Sequence, residues 1–142
     1  MVKILADGDN GHRLENADGR TIASIRNRAI RLYGLGSEQE AVSVVVALWH
    51  VLDAVLFREF PGWRRHEPVI EDLHLVHDGA YEWITDGRKP LARLYRERRG
   101  RATPFAIEYV LPSYASEGVA ISAAQLMARA LDELLHVPLD AA

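Results

Sequence analysis

The sequence predicts an α+β fold: an internally duplicated antiparallel strand meander plus helix, giving one antiparallel sheet with two long helices packed on one face. Three observations predict it. Short segments of alternating character, separated by Gly, Asp and Asn turns, fill residues 2–33 and 72–111; each set runs into one long apolar stretch; and parts of the first half recur in the second. Leu5, Gly11 and Asp18-Gly19-Arg20 reappear 68 residues later as Leu73, Gly79 and Asp86-Gly87-Arg88. Ser37-Glu38, Ser43, Leu52-Asp53 and Leu56 reappear 79 residues later as Ser116-Glu117, Ser122, Leu131-Asp132 and Leu135. The change of spacing locates an insertion in the second copy at about residues 95–105. The expected organisation is a single domain, 1–142, with pseudo-repeat one at 1–58, a linker at 59–70 and pseudo-repeat two at 71–138.

In the first copy, residues 2–6 read as a strand. The run Asp7-Gly8-Asp9-Asn10-Gly11 is made of residues that tolerate positive φ, so it turns the chain into a hairpin with 12–15. Asp18-Gly19 turns it again, 20–25 alternates, and 29–33 completes a meander. The second copy repeats the pattern at 72–76, 81–85, 91–96 and 105–111. The first helix opens on Ser37-Glu38-Gln39-Glu40, a capping box whose side chains satisfy amide hydrogens that the first turn leaves unpaired. Ala41, Val45, Leu48, Leu52 and Val55 recur at helical spacing, and Val42, Val46, Trp49 and Leu56 widen that face until only a narrow small or polar strip remains. Such a helix must be covered on two sides, by the sheet and by the second helix or a partner chain. The second helix, about 117–136, keeps the same register through Ala120, Ala124, Met127, Leu131 and Leu134. Pro61-Gly62 and Pro68 stop the first helix from continuing into the second copy and make an ordered linker, with Phe60 and Trp63 tucked against the body.

The order hairpin, strand, Gly-Leu-Gly-Ser-Glu-Gln-Glu-Ala (34–41), helix, given twice, resembles the YegP-like tandem βββα proteins. There a strand bearing an aromatic leads into a small-residue turn and a helix; residues 79–83 and 112–120 carry the likeness in the second copy. The first copy has no aromatic on that strand, and each copy has one strand more. The resemblance covers most of the chain, implies the duplicated fold and brings no catalytic residues with it.

Composition bounds the function. The 142 residues are 49% hydrophobic and 26% charged, ordinary for a folded globular domain. There is no cysteine, hence no disulfide, thiolate metal site or cysteine nucleophile, which fits a reducing, cytoplasmic setting. No secretory signal is visible at the amino terminus, and residues 41–57 are short and interrupted for a membrane span. The net charge of −3 argues against a generally nucleic-acid-seeking surface. Yet residues 88–101 hold seven basic residues and one acid, so the charge is polarised. Arg93, Arg96, Arg98, Arg99 and Arg101, with Tyr95 and Phe105 for stacking, form an Arg-rich hairpin able to contact nucleic acid or a partner; the plainer reading pairs it with the protein's own acids.

Other clusters favour structural readings. His74 and His77, flanked by Asp72 and Asp78, point to opposite faces of a strand and do not converge on one ion. The Asp7 run lacks a ligand where a calcium loop needs one. His50 and Asp53 read as a helix-surface ion pair, echoed by Arg129 and Asp132. Tyr81 and Trp83 share one strand face; period-two aromatics point to the core, whereas an outward pair would form a small-molecule or ligand patch. No hydrolase elbow, phosphate loop or zinc motif occurs, so no catalytic residue, metal or cofactor is expected. The leading expectation is a non-enzymatic binding or interaction module that self-associates as a homodimer through its helices. Nucleic-acid binding by the Arg-rich hairpin, and small-molecule binding or an unrecognised enzyme near Tyr81 and Trp83, are the alternatives.

Overall fold

The computed structural model describes residues 2–8, 11–96 and 104–136. Eight strands form one antiparallel sheet: β1 (Lys3–Ala6), β2 (Gly11–Glu15), β3 (Thr21–Arg26), β4 (Ala29–Leu35), β5 (His74–Asp78), β6 (Tyr81–Thr85), β7 (Pro90–Arg96) and β8 (Phe105–Val110). Their order across the sheet is β1-β2-β3-β4-β8-β7-β6-β5, so two four-stranded meanders meet at a β4–β8 seam. Helix α1 (Glu38–Glu59) follows the first meander and α2 (Glu117–His136) the second. The expected α+β class, one antiparallel sheet with two long helices packed on one face, is therefore the observed one. Three boundaries move: β5 starts at His74 because Ile70–Asp72 forms a short 3₁₀ turn, β4 runs on to Leu35 through Gly34 at φ 93°, and α1 continues to Glu59.

The pairing register matches positions of the two meanders differently from the 68-residue spacing. Counting outward from the seam, Leu32, Ala23, Leu14 and Ile4 hold the places of Tyr109, Ala92, Ile84 and Leu75. Asp86 then corresponds to Asn16, not Asp18. The two side chains do the same work: Asn16 Oδ1 accepts from the amides of Asp18 and Arg20, and Asp86 Oδ1 from those of Arg88 and Lys89. Both are Asx turns, and both follow a strand irregularity, at Leu14/Glu15 and at Ile84/Thr85. The connection from β7 to β8 is longer than that from β3 to β4, which is only the Asn27-Arg28 turn, both residues at positive φ.

Alternation along the strands puts Leu14, Ala23, Ile30, Leu32, Ile84, Ala92, Ile107 and Tyr109 on one face, all with zero exposure. Both helices lie on that face and complete the core with Leu48, Leu52, Leu56, Met127 and Leu131. Fully burying each such side chain contributes about 1.5–3 kcal/mol. Tyr109 reaches through this layer and donates from its hydroxyl to the Val45 carbonyl at 2.6 Å; burial raises its pKa well above the usual phenol value. Ser37 caps α1, its Oγ accepting from the Glu40 amide at 3.0 Å while the Glu40 carboxylate accepts from the Gly36 amide; Ser116 Oγ accepts from the Val119 amide at α2. Ser37→Ala is expected to cost about 1 kcal/mol in urea unfolding with no change in the slope of the transition.

The linker supplies the second cover that α1 needs. Phe60 and Trp63 pack against the core, and the Trp49 indole donates to the His66 carbonyl at 2.8 Å. Asp53 does not pair with His50. Its carboxylate, 2% exposed, instead accepts from Trp63 Nε1 at 2.7 Å and Arg65 Nε at 3.0 Å, while His50 meets Glu67 at 3.0 Å. Among the described residues, α1 is the one helix long and apolar enough by composition to cross a bilayer, and half of that stretch is buried within the fold. The sheet, α2 and the linker cover part of its greasy circumference and leave its outer side, around Val42 and Val46, open.

Candidate functional site

Among the described residues, the opposite face of the sheet carries no helix. One row of paired residues crosses all eight strands on that side: Leu5, Arg13, Ser24, Arg31, Glu108, Arg93, Trp83 and Val76. In a half-solvated antiparallel sheet, polar residues are expected there, but two arginines and a carboxylate side by side on the central strands require a balance of charge. Glu108 supplies it. Only 6% exposed, its Oε2 accepts from Arg31 Nε (3.2 Å) and Nη2 (3.0 Å), and its Oε1 from Arg93 Nη1 (3.4 Å) and the Tyr95 hydroxyl (3.1 Å). Burial works against the Arg31 charge, yet the neighbouring Glu108 carboxylate outweighs it and holds the guanidinium pKa above its ordinary value.

Each guanidinium also lies against rings. Arg31 sits 4.0 Å from the centre of Tyr95, and Arg93 sits 4.7 Å from Tyr81 and 4.9 Å from Trp83. Arg93 Nε is buried and has no hydrogen-bond partner among the described residues. Beside this array Tyr33 and Ser24 exchange a hydroxyl hydrogen bond at 2.9 Å, and a depression of about 460 Å³ is lined by Asp7, Arg26, Arg31, Tyr33, Arg93 and Glu108 among others. Arg26 holds the Asp7 carbonyl at 3.2 Å, and Arg13 is tied to Glu15 at 3.3 Å.

The expectation that Tyr81 and Trp83 are core residues is therefore corrected. Ile84 and Ala92 take the core face of β6 and β7, so Trp83 must share the other face with Arg93, its cross-strand partner. Tyr81 is 48% exposed. In the first meander Arg13 stands at the place of Trp83 and Gly11 at that of Tyr81, so the aromatic patch belongs to one half only.

The Arg-rich hairpin divides. Arg93 and Tyr95 belong to the open face, whereas Arg96 projects on the helix side. There it binds the Glu82 carboxylate through Nε at 2.8 Å and Nη2 at 3.1 Å and also pairs with Glu38 at the start of α1. These contacts hold the Glu82 pKa below and the Arg96 pKa above their usual values. Arg98, Arg99 and Arg101 lie outside the described residues. His74 and His77 are separate, the first at the Asp72 carbonyl (2.7 Å) and the second 3.6 Å from Glu82; among the described residues no group of three or more His, Asp or Glu is placed to hold a metal ion. Sequence reading missed Arg31 and Glu108. The available signal was a single charged residue in the middle of each of two otherwise apolar or aromatic central strands. Compared with known proteins, the chain matches no family model, no curated protein and no solved structure.

Proposed function

We propose that the protein is a non-enzymatic binding module whose recognition surface is the helix-free face of the sheet. The observation that carries this reading is the Arg31–Glu108–Arg93 array with its four flanking rings, Tyr33, Tyr81, Trp83 and Tyr95. Arginine, tyrosine and tryptophan are the side chains that dominate binding hot spots, and here β-strands rather than loops hold them. The row also reads as two degenerate copies of one ββββα unit that have diverged at the seam, Arg31 in one copy answering Glu108 in the other. A cytoplasmic setting is part of the same reading and rests on the cysteine-free composition.

Tryptophan fluorescence tests it. Trp49 lies under the linker and Trp63 belongs to it, both with their indole nitrogens hydrogen-bonded on the helix side, so Trp83 reports on the open face. A ligand panel of oligonucleotides, mononucleotides, acidic peptides and basic peptides should contain a member that changes emission of the parent protein and leaves Trp83→Phe unchanged. If every responding ligand acts equally on Trp83→Phe, or none responds, the open face is not the recognition surface.

Self-association is a second reading, favoured by an apolar groove of about 770 Å³ along the outer side of α1, where Val42, Val46, Ala47 and Leu73 lie beside Ile70, which is 63% exposed. A homodimer would cover it. Light scattering at micromolar concentration should then give twice the 15.9 kDa chain mass, reduced to one chain by Val46→Asp; a parent monomer contradicts this reading.

A further inference from the structure

Resting on the open-face reading, we infer that the partner of that face is single-stranded nucleic acid. The chemistry of the face asks for planar groups joined by negative charge. Arg31, 4.0 Å from the centre of the Tyr95 ring, and Arg93, 4.7 and 4.9 Å from those of Tyr81 and Trp83, gather guanidinium groups and rings on one face, and unstacked bases pack on both kinds of group irrespective of sequence. The central depression holds Arg26, Arg31 and Arg93 against Asp7 and Glu108, a local positive excess on a chain of net charge −3.

Shape selects the single strand. Among the described residues the face is built from strands alone, with no helix or ribbon rising from it to enter a duplex groove. From β2 to β6 it offers five strand spacings, about 24 Å, over which a splayed chain can lie flat.

The test uses the full chain and a fluorescein-labelled fifteen-nucleotide oligothymidine, with a duplex of equal length and polyglutamate as competitors. At low salt the single strand should bind, quench Trp83 and be displaced weakly by the duplex. Its log–log salt slope should be about −2, as expected when three arginines meet phosphate. Trp83→Ala should weaken binding by about tenfold or more, and Arg31→Ala or Arg93→Ala should also flatten the slope; circular dichroism of each variant verifies that the fold is kept. Three results overturn the inference. Binding unchanged by Trp83→Ala and Arg93→Ala but lost in an Arg98, Arg99 and Arg101 triple alanine variant assigns the contact elsewhere on the chain. Polyglutamate quenching Trp83 while oligothymidine does not leaves the open face as a binding surface for acidic protein. A Trp83 signal silent to every probe removes both the nucleic acid and the open-face reading.

Discussion

Replacing Asp86 with alanine is expected to lower the unfolding free energy by about 3–5 kcal/mol, the largest single-residue polar effect in the molecule. Asp86 is 1% exposed and sits where the β6–β7 turn meets the linker. One carboxylate oxygen holds the turn through the Arg88 and Lys89 amides; the other accepts from the Val69 amide at 3.0 Å and His66 Nε2 at 2.7 Å. Alanine leaves those donors without their acceptor, and it releases the segment that covers Trp49 and the outer flank of α1. Asp86→Asn separates the two roles. Like Asn16 in the first meander, an asparagine oxygen can still take the two turn amides, but its NH₂ group cannot accept from Val69. About half of the loss is therefore expected.

The same residue sets an acid dependence. Burial alone would raise the Asp86 pKa, but the Val69, Lys89 and Arg88 amides and the His66 contact outweigh it and hold the carboxyl far below the usual range. A carboxyl with a depressed folded-state pKa stabilises fully above its unfolded value near 3.9, and the stabilisation drains away as pH falls from there toward the folded value. Urea unfolding of the parent at pH 5 and pH 3 should show that loss, and Asp86→Asn should lack this residue's share of it. An identical pH response in the variant would show that other carboxylates are responsible.

The second large effect is expected at Glu108, with opposite signs on stability and binding. Glu108→Ala leaves Arg31 and Arg93 side by side with no counter-charge and strands the Tyr95 hydroxyl. Removing one partner of a buried pair costs about 3–5 kcal/mol, and about 2–3 kcal/mol is appropriate here because Arg31 and Arg93 retain 35% and 27% side-chain exposure. Glu108→Gln keeps an acceptor and should lose about half as much. If the face recruits an anion, either variant should bind oligothymidine more tightly than the parent despite being less stable. Weaker binding in both would mean that Glu108 is needed to position the guanidinium planes rather than tempering their charge.

Much of the architecture was legible in the residues. Alternation, Asp-Gly turns, the Ser37 cap and helical spacing of apolar residues gave both meanders and both helices, because those signals are local and act through the chain's immediate neighbours. The likeness of letters between the two meanders misleads in one place: Asp18-Gly19-Arg20 has the letters of Asp86-Gly87-Arg88, while the strand position and turn hydrogen bonds of Asp86 are matched by Asn16. Letters near a turn drift, and the pairing register does not. The face chosen by Trp83 was not legible from β6 alone, since Trp83 and Ile84 are both apolar; the decision is made by Arg93 and Ala92 on the strand alongside. Arg31 and Glu108 are distant in sequence and meet only because β4 pairs with β8, so their complementarity depends on the topology. The cover over α1 was expected from the second helix or a partner, and the linker's part in it follows from Trp63 reaching Asp53, a contact that needs the chain to double back.

Backbone amide mapping by NMR tests the central claim most directly. With the uniformly ¹⁵N-labelled full chain and unlabelled oligothymidine, the account predicts shifts concentrated on Arg31, Arg93, Glu108 and Trp83 and their cross-strand neighbours, with the outward positions of α1 and α2 unmoved. Shifts gathered instead along Val42, Val46, Ile70 and Leu73, with the central strands silent, would contradict it.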